Sequence, residues 1–141
     1  HQCSNENIHE IKKKYSSLNL KANCKTFFIN LPKIMFKSHF VISRAGASSL
    51  SEIITLGKAG VIIPYKFAKD NHQLINANWF AKKGAGYVLQ EDKLKTNILK
   101  RLITEFLSDE KKLQKMSKKS FKLGDPNSLK KLLAVISDLK K

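Results

Sequence analysis

Arginine is scarce in this chain: among 27 basic residues only Arg44 and Arg101 carry a guanidinium, and the rest are lysine. That shortage limits what a formal net charge of +16 can mean. Proteins that read bases or clamp phosphates favour the bidentate fork of arginine, and no aromatic-basic platform for stacking bases stands out. A basic nucleic-acid-binding module is therefore the weak reading of the charge, and no nucleic-acid partner is expected. The lysines thicken after Lys93 and read as solvated helix faces, with a secondary attraction to an anionic membrane surface. Cysteine is scarce too: Cys3 and Cys24 stand alone, with no CxxC pairing and no histidine at metal-ligand spacing. Isolated thiols of this kind fit the reduced or inert residues of a cytosolic protein better than a disulfide. With no carboxylate cluster either, no metal is expected. Apolar runs such as Val61-Ile62-Ile63 are too short to span a bilayer, and no signal peptide is visible. There is no internal repeat and no low-complexity linker. The chain starts at His1-Gln2 without Met, as a fragment or a processed product would.

What is present suits one domain: 141 residues, 42% of them hydrophobic, can bury a sizeable core. Helical and extended segments alternate. The periodicity predicts a polar helix over 5–16, a strand over Lys25–Ile29, a short helix from about Pro32 and a strand over 40–43. A helix over 49–56 follows, then a buried strand over Gly60–Ile63 closed by Pro64. A helix from about Asn71 to Lys83 is closed by Gly84, and a last strand covers 86–89. Beyond it, Ile98, Leu99, Leu102, Ile103 and Phe106 form one amphipathic stripe. Leu113 and Met116 with Ser120 form a weaker second stripe, and Leu129, Leu132, Leu133 and Ile136 a third. The pattern predicts an α/β fold: a Rossmann-like parallel sheet with helices on both faces and a helical C-terminal tail. One domain over 1–141 is expected, with an α/β part over 1–90 and the tail over 91–141.

The stretch Ser43-Arg44-Ala45-Gly46-Ala47-Ser48-Ser49-Leu50-Ser51-Glu52 carries the first chemistry. Strand, small-residue turn and helix start follow one another, so a ligand can approach the backbone and an anion can sit on the free N–H groups of the first turn. Glu52 could accept from hydroxyls, and a phosphate beside a diol suggests a nucleotide or nucleotide-sugar. The same letters also spell a capping box, Ser49 to Glu52, in which the carboxylate serves its own helix start. Capping boxes are commoner, so the local pattern alone favours that structural role. A second cluster follows the next strand, where His72, Gln73 and Asn76 share one ridge at helical spacing. Their amide and imidazole groups suit sugar hydroxyls, against the plainer reading of Asp70 or Asn71 as an N-cap and His72 as a solvated residue. Two such clusters at neighbouring strand ends favour a binding site.

The ordered set Ser43–Ala47, Ser51-Glu52, Gly57-Lys58, Ile63-Pro64-Tyr65, His72-Gln73 and Asn76-Ala77 resembles the C-terminal domain of glycosyltransferase family 28. Within that family it looks most like the bacterial enzyme that adds GlcNAc to undecaprenyl-diphosphate-linked muramyl-pentapeptide, and the resemblance runs from His1 to about Leu89. It implies the donor-binding C-terminal half of a two-domain GT-B enzyme, with UDP-GlcNAc as donor and no cofactor. It further implies that Glu52 holds the ribose hydroxyls and the backbone near Ile29 pairs with uracil. Gly46, Ala47, Ser48 and Ser49 would lie against the diphosphate and sugar, and Gln73 and Asn76, with His72 beside them, against GlcNAc. Arg44 matches a motif arginine that either touches ligand or braces the turn. The family's Gly-Gly-Ser loop, its N-terminal acceptor domain and its proposed general base are not in this sequence. No catalytic residue is therefore assigned, and the chain alone is expected to be inactive. Ala59-Gly60 replaces a usual proline and Lys66 stands where a second is common, which bears on loop stiffness. The expected location is peripheral, on the cytoplasmic face of the bacterial inner membrane, where the lipid-linked acceptor would meet the missing domain. The alternative within the fold is a free-standing half that pairs with a membrane subunit, as in eukaryotic dolichol-linked GlcNAc synthesis.

Overall fold

Three short strands, β1 (Phe40–Ser43), β2 (Ala59–Ile62) and β3 (Gly86–Val88), pair in parallel in the order β1-β2-β3. The structure is a computed structural model that describes residues 1–139. The chain divides into two compact units, His1–Lys33 and Ile34–Lys141. In the first unit, α1 (Ile8–Ser17) is followed by an irregular segment. The strand expected over Lys25–Ile29 does not form: only Lys25 pairs, in an isolated parallel bridge with Gln2, and Phe27 and Ile29 are 70% and 87% exposed. A strand needs a ladder partner as well as apolar residues. Cys3 and Cys24 are both free. Helix α2 (Leu31–Lys37) begins next to Pro32, as the fixed proline φ favours.

In the second unit, β2 is buried along its whole length, as a central parallel strand should be. It begins one residue earlier than its apolar run suggests. In the register Gly60↔Gly86 and Val61↔Tyr87, alternate residues face opposite sides. One face carries Phe40, Val61, Ile63, Tyr87 and Leu89, packed against Leu102 and Phe106 of α5 (Thr96–Ser108) and Leu113 and Met116 of α6 (Glu110–Phe121). The Phe106 ring stacks on Tyr87 at 5.5 Å and meets Phe40 edge-on at 4.9 Å. Helices α5 and α6 thus belong to the core, whereas α7 (Ser128–Asp138) buries no residue. The other face carries Gly60 and Gly86. A Cβ on Gly86 would lie 2.0 Å from the Gly60 carbonyl oxygen and 2.8 Å from the Phe80 ring, so glycine is required for this close approach of backbone to backbone. Phe80 belongs to α4 (His72–Lys82), and that helix covers this face.

Helix α3 (Ala47–Thr55) joins β1 to β2, and α4 joins β2 to β3. Both end on a glycine in the left-handed region, Gly57 with φ 60° and Gly84 with φ 74°. Gly57 N–H donates to Ile54 O and Lys58 N–H to Ile53 O, a closed C-terminal turn. The far end of α6 packs there, with Phe121 against Gly57 and Lys119 against Gly84. The starts of α3 and α4 lie at the opposite ends, where the strands finish.

Candidate functional site

Ligands in open parallel sheets bind outside the carboxyl ends of the strands, and three loops leave that edge here. The first, Arg44-Ala45-Gly46, turns directly into α3. Gly46 is the N-cap, with φ −62° and ψ 143°, and no side chain caps the helix. Leu50 N–H donates to Gly46 O at 3.0 Å, so the helix starts at Ala47 rather than at Ser48 or Ser49. The first-turn N–H groups of Ala47, Ser48 and Ser49 remain available to solvent or an anion. A Cβ on Gly46 would meet only Ser49 Oγ, at 3.8 Å, so the space over the turn is open. Ala47 and Ser48 are exposed, and Gly46 and Ser49 half-buried.

The early start corrects the capping-box reading. Ser49 is already inside the first turn and Glu52 lies beyond it, so the two do not form a box. The Glu52 side chain is exposed and has no partner among the described residues.

The second loop, after β2, leads through Asp70 and Asn71, whose φ values of 51° and 53° turn the chain into α4. Short polar side chains tolerate this left-handed backbone better than most. Asn71 occupies the N-cap but makes no side-chain cap bond. His72 Nδ1 lies 2.6 Å from Lys69 O. Because a carbonyl only accepts, the imidazole is the donor in this contact. Gln73 joins the first two loops: its Oε1 accepts from Ala45 N–H at 3.3 Å and Tyr65 N–H at 3.0 Å. Asn76 Nδ2 donates to Ala45 O at 3.1 Å. Both backbone groups of the buried Ala45 are therefore held by α4, immediately before Gly46. The structure thus brings Gln73 and Asn76 to the α3 turn, as their common ridge suggests.

Arg44 braces the loops. Its Nη1 donates to Ile63 O at 3.3 Å and Pro64 O at 3.4 Å, and its guanidinium lies 5.6 Å from the centre of the Tyr65 ring. Nη2 pairs with Glu91 Oε1 at 2.7 Å, and Glu91 Oε2 accepts from Lys66 N–H at 3.0 Å. The Lys66 N–H, and then the Arg44 guanidinium, hold the Glu91 carboxyl below the usual carboxylate range. Sequence reasoning missed Glu91. Its position just past the third strand was the available signal, had the strand-end rule been applied to that strand as well. Ile29 lies in the first unit, in the exposed turn before α2. Among the described residues, no group of three or more His, Cys, Asp or Glu could hold a metal ion.

A parallel sheet with helices on both faces, and uncapped helix starts under its strand-end loops, defines a Rossmann-like α/β unit of the kind that binds nucleotides. Residues 1–132 match the model of the glycosyltransferase family 28 C-terminal domain, and the chain belongs to that family. Two relatives are named UDP-N-acetylglucosamine--N-acetylmuramyl-(pentapeptide) pyrophosphoryl-undecaprenol N-acetylglucosamine transferase. The one from Syntrophotalea carbinolica is 33% identical over 136 residues, covering 96% of this chain and 38% of the relative. The one from Wolbachia sp. subsp. Drosophila simulans is 30% identical over 135 residues, covering 96% and 39%. The crystal structure of Acinetobacter baumannii MurG superposes with a TM-score of 0.89 at 28% identity, over 98% of this chain and 42% of that one. The fold is that of the C-terminal half of a GT-B enzyme. SnogD from Streptomyces nogalater, with a TM-score of 0.51 at 19% identity over 82% of this chain and 30% of its own, shares the fold alone. The chain spans about two-fifths of the length of the curated relatives it matches.

Proposed function

We propose that this chain is the donor-binding part of an inverting glycosyltransferase that moves GlcNAc from UDP-GlcNAc to an undecaprenyl-diphosphate-linked muramyl-pentapeptide in peptidoglycan synthesis. The observation that carries the reading is Glu52: an exposed carboxylate without a partner among the described residues, one turn beyond an uncapped helix start with open space above it. A ribose diol would supply the donors this acceptor lacks, while the diphosphate would lie against the N–H groups of Ala47, Ser48 and Ser49. Gln73 Nε2, Asn76 Oδ1 and His72 would face the GlcNAc hydroxyls.

In the reaction, the acceptor 4-hydroxyl attacks C1 of GlcNAc, the bond from C1 to the diphosphate oxygen breaks with inversion, and UDP leaves. This chain's part is to bind and orient the donor and to stabilise charge on the departing diphosphate through the α3 start. A base elsewhere would take the hydroxyl proton. Isothermal titration with UDP-GlcNAc tests the site: Glu52→Ala should weaken binding by about tenfold or more, the worth of charge-assisted hydrogen bonds. Equal affinity in the two proteins would sink the ribose assignment.

The acceptor in the relatives' name carries a long isoprenoid, so the reaction would take place at a membrane. We place the chain peripherally at the cytoplasmic face of the bacterial inner membrane. No helix of the described residues is long and apolar enough to cross a bilayer, and the surplus of lysine favours an anionic surface. Sedimentation with phosphatidylglycerol vesicles should fade as salt rises; indifference to lipid charge would overturn the location.

A further inference from the structure

We propose that Glu91 is a positioning residue of the donor site, a latch that holds the three strand-end loops in one arrangement. The inference rests on the donor reading above. Each oxygen of one carboxylate grips a different loop: Oε1 takes Arg44 from the loop after β1, and Oε2 takes the Lys66 N–H from the loop after β2. Glu91 itself follows β3, so the three loops meet at a single side chain. Through Arg44 the grip extends to the carbonyls of Ile63 and Pro64 and to the face of Tyr65. Gln73 ties the same two loops from the α4 side. Between these ties lies the Ala45-Gly46 backbone that opens α3. Without Glu91, the Arg44 fork loses the partner that orients it and Lys66 N–H loses its acceptor.

The latch contributes little to global stability. The Arg44 and Glu91 side chains are 50% and 22% exposed, so solvent screens the pair. Its effect falls on geometry, where a small displacement of a binding loop costs affinity.

The test compares the chain with Arg44→Ala, Glu91→Ala, the double variant and Glu91→Gln. UDP-GlcNAc affinity, thermal midpoint and amide exchange at Tyr65 and Lys66 are measured for each. Each alanine variant should lose about tenfold in affinity with a thermal midpoint near that of the parent. The double variant should be little worse than either single one, since the two act as one unit. Glu91→Gln, which keeps one acceptor oxygen, should lose less. Lys66 exchange should quicken in Glu91→Ala without ligand present. Additive affinity losses, affinity that falls only in step with the thermal midpoint, or unchanged Lys66 exchange would each overturn the latch. If Glu52→Ala weakens binding and Glu91→Ala does not, the latch fails and the donor reading stands. No binding by the parent overturns the donor reading and the positioning role with it.

Discussion

The two ends of α3 and α4 are built in opposite ways. At their C-terminal ends each chain turns through a left-handed glycine, and α6 packs over the turn with Phe121 and Lys119. At their N-terminal ends neither helix has a side-chain cap: Gly46 stands at the N-cap of α3, and Asn71 at that of α4 makes no cap bond. An N-cap hydroxyl or amide is an easy gain of about 1 kcal/mol, so leaving both starts uncapped costs stability. The donors left open are the ones an anionic ligand needs. The difference teaches that the C-terminal ends serve the fold, while the N-terminal ends are left open for the proposed donor.

Two substitutions test that division. The larger effect is expected at the closed end: Gly57→Ala puts a Cβ on a backbone with φ 60°, 3.0 Å from Phe121 Cβ. Urea unfolding should show a loss of about 1–3 kcal/mol, while UDP-GlcNAc affinity of the folded protein stays close to that of the parent. A matching loss of affinity would mean that the two ends are not separable. The smaller effect on stability is expected at the open end. Gly46→Ser fits the space, with only Ser49 Oγ near the new Cβ, and supplies a preferred cap. Stability should hold or rise by a few tenths of a kcal/mol, while donor binding weakens because the new side chain occupies the mouth of the turn. A Gly46→Ser protein that binds as the parent does would remove the diphosphate from the α3 start.

Much of the fold was legible because its signals are local. The apolar runs at 40–43, 60–63 and 86–89 and the glycines at 57 and 84 marked strands and helix ends to within a residue or two. The start of α3 was misplaced because Ser48 and Ser49 look like caps in composition. The buried Ala45, held by Gln73 and Asn76, brings the backbone to a helical start before the serines are reached. The run at 25–29 failed as a strand because only Lys25 finds a partner in Gln2, and a ladder is a non-local property. In the site, the His72–Asn76 ridge was readable from helical spacing, and its meeting with the Ala45 turn follows from the strand-end rule. The pairing of Arg44 with Glu91 was not readable, since the residues lie far apart in sequence and only the parallel order of the sheet brings them together.

The two amides of α4 have their orientations fixed by the protein before any ligand arrives. Gln73 Oε1 is engaged by two backbone donors, so the amide can offer a newcomer only its NH2 group. Asn76 gives one N–H to Ala45 O, which fixes the amide's orientation and leaves Oδ1 and the second N–H for a newcomer. A hydroxyl that meets Gln73 must accept, and one that meets Asn76 Oδ1 must donate. In the proposed donor site, the pair would therefore meet sugar hydroxyls with a fixed donor at Gln73 and a fixed acceptor at Asn76 Oδ1.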